Sequence, residues 1–279
     1  MEGLSAFNTA GIIGSALAVC FVVANTKSLP FAHSFRLLPS LYRLLRPRLF
    51  PASKPQIHPK LNPIPASGPE AAVAQPALFK HHVSSSRAVL LDLDINMHKS
   101  NSTFFADADI NRAELLTRLL SRGLATAGPA PAELDSRTTT AAMPLLAAVQ
   151  CTFKREIGPF QAYDLSSRIL AWDNKSLFLV TYFLRPNTRL PPDVELTGGP
   201  AAVLGESSLR KCVYATMVTR YVCKAGRETV LPKTVLEAAG LLVCEAHEAD
   251  NGSHGAFLTA DQVDQGVDSG MRYVRECML

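Results

Sequence analysis

The chain has 279 residues, enough for one large or two small domains, and its 47% apolar and 19% charged residues suit a globular protein with a membrane-like part. Its net charge is +4, yet no Asp or Glu occurs between Gly3 and Pro69, where seven Lys and Arg residues lie. The remainder is close to neutral or slightly acidic, which argues against a nucleic-acid-binding protein.

The N-terminal part contains an apolar run from Ala10 to Ala24, inside an uncharged stretch of 24 residues from Gly3 to Thr26. A transmembrane helix needs about 20 residues, so we predict a single membrane anchor over residues 1–26. A signal peptide and a soluble helix remain the alternatives, although a signal peptide would carry positive charge where Glu2 stands. Because basic residues follow the run, we expect the rest of the chain on the cytosolic side of the membrane.

Residues 27–76 are predicted to join this anchor to a folded domain at residues 77–279. Their first part, Phe31 to Phe50, interleaves leucines and phenylalanines with arginines, a basic amphipathic pattern that is typical of helices on a membrane surface. The alternative is a solvated helix packed on the domain. Their second part, Pro51 to Pro76, contains seven prolines and little periodicity, which is the composition of a linker.

The folded domain is organised around residues 88–123. Four apolar residues, Ala88 to Leu91, are interpreted as the end of a strand, and Asp92 and Asp94 follow them. After a polar bend, apolar residues recur at spacings of three and four, which predicts a long amphipathic helix. Residues 100–103 supply N-cap candidates, and Gly123 is a plausible C-cap.

The later part of the chain alternates partially between apolar and polar residues, which predicts strands over residues 145–157, 161–172, 177–184 and 209–223. Residues 173–175 are predicted to form a hairpin turn, and residues 232–242 and 259–278 are predicted to be helical. One long helix after a first strand, followed by antiparallel strands, predicts an α+β domain whose sheet curls around a central helix. We interpret residues 209–223, which are strongly apolar, as an uncovered sheet edge that invites pairing.

The stretch from Asp92 to Phe104 resembles the motif of hot-dog fold thioesterases of the 4-hydroxybenzoyl-CoA thioesterase type, roughly Asp-x-Asp-x-x-x-His-x-Asn-Asn-x-x-Tyr. The matching positions are Asp92, Asp94, His98, Asn101 and Phe104. Ser100 stands where the motif has its first Asn, and Phe104 replaces Tyr, which excludes any role of the tyrosine hydroxyl. A second similar block comprises residues 158–160, 167–173 and 177–179. The likeness extends to membrane-anchored proteins of the thioesterase-superfamily-member-6 type and to fungal thioesterase-like proteins of secondary-metabolite clusters.

This resemblance implies hydrolysis of an acyl thioester, with Asp94 as the catalytic carboxylate that attacks the carbonyl or activates water, and Asp92 as a structural residue. The N–H groups near residues 98–102 are candidates for stabilising the oxyanion. His98 and Asn101 would orient the thioester or the water. The residues predicted to contact substrate are Ser100, Ser102 and Phe104. From the residues alone, Asp94 could instead be a helix cap, and His98 could bond only to backbone.

Two functional hypotheses therefore stand. The first is a membrane-anchored thioesterase that cleaves an acyl-CoA or a carrier-protein-bound acyl or polyketide chain. The second is a non-catalytic hot-dog protein that binds acyl chains or scaffolds a membrane assembly, which the departures at Ser100 and Phe104 keep open. The resemblance also implies a homodimer whose partner chain lines the groove beside Asp94. We expect no metal or cofactor, because the cysteines lack metal-ligand spacing and no third ligand lies near His81 and His82 in the sequence.

Overall fold

The computed structural model describes residues 2–49, 77–126, 142–190, 205, 211–242 and 260–278. The predicted linker lies outside these residues. The helices are α1 (Glu2–Ala24), α2 (Ala32–Leu49), α3 (Asn101–Thr126), α4 (Pro232–Ala238) and α5 (Ala260–Met278). The strands are β1 (His82–Arg87), β2 (Met143–Phe153), β3 (Ala162–Trp172), β4 (Ser176–Leu184), β5 (Val213–Ala225) and β6 (Glu228–Val230).

The strands form one antiparallel sheet in the order β1-β3-β4-β5-β2, with β6 pairing with β5. Strand β5 lies between β4 and β2, so the prediction of an uncovered edge at residues 209–223 is wrong. The edge is covered because β2 returns after α3 and pairs along β5, from Met143 opposite Lys224 to Phe153 opposite Ala215. The two strands at the edges of this five-strand order are therefore β1 and β2.

Both faces of the sheet are covered, which explains why β4 is buried along its whole length. Successive side chains of a strand point to opposite faces. Ile169, Leu177 and Leu179 share a core cluster with the leucines of α3. Leu170 and Phe178 share another cluster with Val274 of α5. The predicted α+β architecture, an antiparallel sheet around one long helix, is confirmed.

The ends of two predicted elements differ from the structure. Strand β1 ends at Arg87 rather than at Leu91, because residues 90–92 form a 3-10 turn. Helix α3 continues through Gly123 to Thr126, so Gly123 is not a C-cap. A Cβ atom on Gly123 would lie 2.0 Å from the carbonyl oxygen of Val235, so glycine allows α4 to approach α3 closely.

Helix α1 carries large apolar side chains that are exposed along residues 11–24. They are Ile12, Ile13, Leu17, Val19, Phe21, Val22 and Val23. Among the residues that the structure describes, no helix is both long enough and apolar enough to cross a bilayer. This finding does not support the predicted transmembrane anchor over residues 1–26.

Helix α2 packs on α3, which is the alternative that the sequence left open for this segment. Leu37, Leu41 and Leu44 line a mainly apolar cavity of about 230 Å³ between the two helices. The opposite face of α2 carries an exposed apolar stripe at helical spacing. This stripe comprises Phe35, Leu38 and Tyr42, and Phe31 is exposed directly before the helix. Helix α2 therefore contacts the folded domain and still presents an apolar surface.

Candidate active site

A tight turn carries Asp94 and joins the 3-10 turn at residues 90–92 to α3. Its base is closed by a bridge between Leu93 and Lys99. At its tip the N–H of Asp94 donates to the carbonyl of His98 at 2.9 Å, and the N–H of Met97 donates to the carbonyl of Asp94 at 3.0 Å. Met97 has a φ of 59°, a left-handed conformation that non-glycine residues seldom adopt. The backbone of this turn is thus fixed by several independent contacts.

The carboxylate of Asp94 is exposed at the tip of this turn. One of its oxygens, Oδ1, accepts hydrogen bonds from the N–H groups of Asn96 at 2.8 Å and His98 at 3.4 Å. An ionised carboxylate offers about four acceptor positions, so Asp94 keeps acceptor capacity for a substrate or a water molecule. The carboxylate is both held in place and accessible.

Helix α3 begins directly after this turn. The N–H of Ser100 donates to the carbonyl of Asp92 at 2.8 Å, and the N–H of Thr103 donates to the carbonyl of Ser100 at 2.9 Å. The first N–H groups of an α-helix lack intrahelical acceptors, and the helix dipole favours negative charge there. The N–H groups of Asn101 and Ser102 are therefore the candidates to hold a developing oxyanion.

The remaining predicted site residues occupy different environments. Asn101 and Ser102 are exposed in the first turn of α3, and the hydroxyl oxygens of Ser100 and Ser102 lie 3.1 Å apart. His98 is half-buried and closes the Asp94 turn through its backbone. Phe104, by contrast, is only 2% exposed.

Phe104 belongs to the core rather than to an open groove. Its ring packs on those of Phe153 and Phe183, at centroid distances of 5.2 and 4.8 Å. A side chain buried in this way offers little surface to a substrate. We therefore assign it a packing role, which also explains why an apolar ring is tolerated at this position of the motif.

Beneath the turn lies a buried ionic cluster, which we call the Asp92–Asp107 cluster. It comprises Lys27, Asp92, Lys99, Asp107 and Tyr163. The ammonium group of Lys99 lies 2.8 Å from Asp107 Oδ2 and 3.5 Å from Asp92 Oδ2. The hydroxyl of Tyr163 donates to Asp107 Oδ2. The structural role predicted for Asp92 agrees with its 4% exposure and its ion pairs.

Burial and charge act against each other in this cluster. Burial raises the pKa of Asp107, but the nearby Lys99 and Lys27 cations outweigh burial and hold that pKa well below its usual value. Burial also lowers the pKa of Lys99, which Asp107 and Asp92 partly offset. The pKa of Tyr163 is raised by burial and by Asp107, so its hydroxyl stays protonated and can donate. The cluster is therefore a set of mutually dependent charges.

The sequence pattern predicts no site role for Lys27, Lys99 or Asp107. One local signal was available: Asp107 lies three residues after Phe104 and one before Ala108, on the apolar face of α3. An acid on a buried helix face requires partners. One of these partners is Lys27, which lies 80 residues away along the chain, so the local pattern does not identify it.

Exposed apolar side chains lie on the turn that carries Asp94. Ile95, next to the carboxylate, is 98% exposed, and Met97 is 54% exposed. Phe153 at the end of β2 and Phe160 are also partly exposed. The N–H of Lys99 donates to the carbonyl of Ile157 at 2.8 Å, which brings the segment after β2 against the turn. An apolar surface of this kind suits an acyl chain or a second protein surface.

Other reactive side chains lie in less suitable places. Burial raises the pKa of the Cys151 and Cys223 thiols to about 11, which disfavours the nucleophilic thiolate. His81 contacts Ser166 Oγ at 2.9 Å, and burial together with Arg168 lowers the pKa of His81 to about 3. Within the described ranges, no group of His, Cys, Asp and Glu could hold a metal ion.

The strand order and the central α3 helix give the chain a hot-dog fold. A family model described as the Thioesterase-like superfamily matches residues 89–239. The thioesterase poxG of Penicillium oxalicum is 36% identical over 203 residues, which cover 70% of this chain and 65% of that protein. This chain thus spans less than two thirds of that relative's length.

Two further relatives match this chain, one over more residues than poxG and one over fewer. The probable thioesterase atnL of Emericella nidulans is 32% identical over 250 residues, covering 87% of this chain and 76% of that protein. The probable thioesterase YBR096W of Saccharomyces cerevisiae is 32% identical over 163 residues, covering 58% of this chain and 56% of that protein. The chain belongs to the Thioesterase-like superfamily, and the family predicted from the Asp92–Phe104 motif is confirmed.

Proposed function

We propose that the protein hydrolyses an acyl thioester carried by CoA or by a carrier protein, with Asp94 as the catalytic carboxylate. The observation that carries this proposal is an exposed carboxylate on a clamped turn that leads directly into the N-terminus of α3. Asp94 either attacks the carbonyl carbon or takes a proton from the attacking water. When water attacks, the carboxylic acid forms as the C–S bond breaks. When Asp94 attacks, breakage of the C–S bond leaves an acyl–Asp94 anhydride, which water then hydrolyses to the acid and free Asp94. In both routes the thiolate takes a proton that ultimately comes from water.

The first turn of α3 supplies the electrostatic part of this mechanism. The N–H groups of Asn101 and Ser102 would hold the oxygen that becomes negative in the tetrahedral intermediate. We propose that the Asn101 side chain and His98 orient the thioester or the water. Ser100 and Ser102 provide hydroxyl groups beside them, in the positions predicted for substrate contact.

The substrate is proposed to be an acyl or polyketide chain of fungal secondary metabolism. The exposed apolar side chains of Ile95 and Met97, on the same turn as Asp94, support an apolar acyl group. The fungal thioesterases poxG and atnL support the same reaction class. The competing hypothesis is a non-catalytic protein that binds acyl chains or scaffolds a membrane assembly, which Ser100 and Phe104, in place of the motif's Asn and Tyr, keep open.

The test uses the full chain, purified in mild detergent and supplied with a panel of acyl-CoA and acyl-carrier-protein thioesters. Release of free thiol above the uncatalysed rate for at least one substrate is the expected result. Saturable binding of acyl-CoA without thiol release would favour the non-catalytic protein. Neither release nor binding across the panel would contradict both hypotheses.

We further propose that two copies pair through the β2 edge, so that a partner chain completes the groove beside Asp94. Leu145 and Leu146 on this edge are each 49% exposed. Such an apolar edge strand invites pairing, whereas β1, the other long edge, carries mostly polar residues. Phe153 at the end of β2 contacts Phe104 in the first turn of α3, so a strand added at β2 would reach the site.

Light scattering on the full chain in detergent tests this pairing. We expect a dimer for the wild type and a monomer for a Leu145→Glu/Leu146→Glu variant, because charged side chains on an edge strand oppose its pairing with a second strand. The matched control is Val83→Glu on β1, where the wild-type residue is 42% exposed, and it should leave the dimer intact. A wild-type monomer with full thioesterase activity would contradict the proposal.

We also propose that α1 and α2 bind a membrane and that the domain faces the cytosol. Support comes from the exposed apolar residues of α1, the exposed stripe on α2 and the exposed Arg43 and Arg46. The full chain is expected to float with lipid vesicles, and more strongly when the vesicles contain anionic lipid. In cells, Asn174, which begins an Asn-Lys-Ser sequon, should remain unmodified. Glycosylation of Asn174 would place the domain in a lumen and contradict the orientation.

A further inference from the structure

Lys27 lies just beyond the end of α1, inside the 3-10 turn at residues 26–28. Its ammonium group reaches into the Asp92–Asp107 cluster, where it lies 2.6 Å from Asp92 Oδ2 and 3.1 Å from Asp107 Oδ2. It also lies 3.1 Å from the hydroxyl oxygen of Tyr163 and 3.3 Å from that of Ser86. With only 16% of its side chain exposed, Lys27 is a structural cation of the domain.

The two residues that flank this contact hold the same segment. Asn25 is fully buried, and its side-chain oxygen accepts a hydrogen bond from the N–H of Leu91 at 2.9 Å. The hydroxyl of Ser28 donates to Asp92 Oδ1. Residues 25, 27 and 28 therefore clamp residues 91 and 92. Asp94 lies only two residues further along the chain.

Asp92 connects this segment to both ends of the turn that carries Asp94. Its side chain binds Lys27 and Lys99, while its carbonyl accepts the N–H of Ser100 at the start of α3. Lys99 in turn pairs with Leu93 at the base of the turn. A shift of the Asp92 side chain would therefore move the residues on both sides of the turn that carries Asp94.

The charges of the cluster balance only when Lys27 is present. Asp92 and Asp107 face Lys27 and Lys99, with Tyr163 and Ser86 as neutral neighbours. Among the described residues, Arg36 of α2 adds a further cation, which lies 3.3 Å from Asp107 and has 34% of its side chain exposed. Without Lys27, Asp92 would share Lys99 with Asp107, and a buried carboxylate would be left poorly compensated.

We propose that Lys27 is a positioning residue for Asp94, which makes the end of α1 a structural part of the active site. The inference rests on the proposed function, because it takes Asp94 as the catalytic group. It implies that a contact that displaces the end of α1 would also change the position of the turn that carries Asp94.

The experiment compares three full-length proteins with the wild type: Lys27→Met, Lys27→Met/Asp92→Asn and the control Lys175→Met. Lys175 lies in the exposed β3–β4 hairpin. We expect Lys27→Met to lower kcat by roughly tenfold to a hundredfold with little change in KM, because a misplacement of about 1 Å has effects of that size. The double variant removes one positive and one negative charge, so it should recover part of kcat. Lys175→Met should match the wild type.

The pH profile separates charge imbalance from a simple loss of packing. In Lys27→Met, Asp107 loses one of the two cations that hold its pKa low, so it takes up a proton at a higher pH than in the wild type, and that proton offsets the lost Lys27 charge. The ratio of variant to wild-type kcat should therefore rise as the pH falls. A ratio that is independent of pH, together with a double variant no better than the single variant, would overturn the proposal.

Hydrogen exchange gives a readout that does not need activity. The amides of Ser100 and Lys99, which donate to Asp92 and Ile157, should exchange faster in Lys27→Met than in the wild type and Lys175→Met. If the wild type releases no thiol, the proposed function fails, but this exchange difference still tests the link between Lys27 and the turn. Unchanged exchange at both amides would overturn that link, and should Lys27→Met not fold, the double variant provides the same comparison.

Discussion

Replacing Asp94 with Asn is expected to reduce thioester hydrolysis by about 10²–10⁴-fold, the range for loss of a general base, while the protein stays folded. Asn keeps the side-chain oxygen that accepts the N–H groups of Asn96 and His98, so the turn retains its hydrogen bonds. Because Asp94 is exposed, we expect the free energy of unfolding to change by no more than about 0.5 kcal/mol. Thiol release and thermal unfolding on the same preparation measure the two effects.

The control for this change is Asp173→Asn in the β3–β4 hairpin. Asp173 is also exposed, and its Oδ1 accepts the N–H groups of Lys175 and Ser176 at 2.7 and 2.6 Å, much as Asp94 does in its own turn. It lies at the other end of β3 from the Asp94 turn, so hydrolysis should be unaffected. Near-normal turnover in folded Asp94→Asn would contradict the assignment of Asp94, and equal losses in both variants would point to a general effect of turn carboxylates.

The sequence predicted those parts of the fold that depend on local pattern. The strands β3 and β4 and the helix α3 were predicted within a few residues, because their apolar residues recur at the spacing of a strand or a helix. Pattern does not determine which strand lies beside which. The apolar pattern of β5 therefore predicts a free edge, whereas in the structure β2 pairs with β5 along this edge.

The candidate site shows the same division. The positions of Asp94 and of the helix after it could be predicted, because both lie within one short stretch of chain. The burial of Phe104 could not, because it depends on Phe153 and Phe183, which come from two strands far along the chain. The burial of Lys99 could not be predicted either, because this residue follows His98 in a polar bend and its side chain points inward to Asp92 and Asp107.

Gly123 illustrates a third limit. Gly near the end of an amphipathic pattern usually marks a helix C-terminus, which was the prediction here. The structure instead places it inside α3, where Val235 of α4 occupies the space that a side chain would need. A glycine that ends a helix and a glycine that lets a neighbouring helix approach closely look the same in a sequence. Only the position of the neighbouring helix distinguishes them.

Replacing Asp107 with Asn is expected to give the largest loss of stability, about 3–5 kcal/mol in the free energy of unfolding, the range for breaking a buried ion pair by removing one partner. Asp107 is 5% exposed and lies within 3.3 Å of Lys27, Lys99 and Arg36. Asn has nearly the same shape, so the loss reports the charge rather than the packing. Chemical denaturation of the full chain measures it, with Asp264→Asn on the exposed side of α5 as the control.

The pH dependence of this loss has a definite sign. The Lys99 and Lys27 cations hold the pKa of Asp107 below its usual value despite the opposing effect of burial, so this carboxylate stabilises the fold above the pKa of an unfolded Asp, about 4. That contribution is lost as the pH falls below this value towards the folded-state pKa. The difference between wild type and Asp107→Asn should therefore be full near pH 7 and shrink below about pH 4. A difference that grows on acidification would show that Asp107 is already protonated in the folded protein.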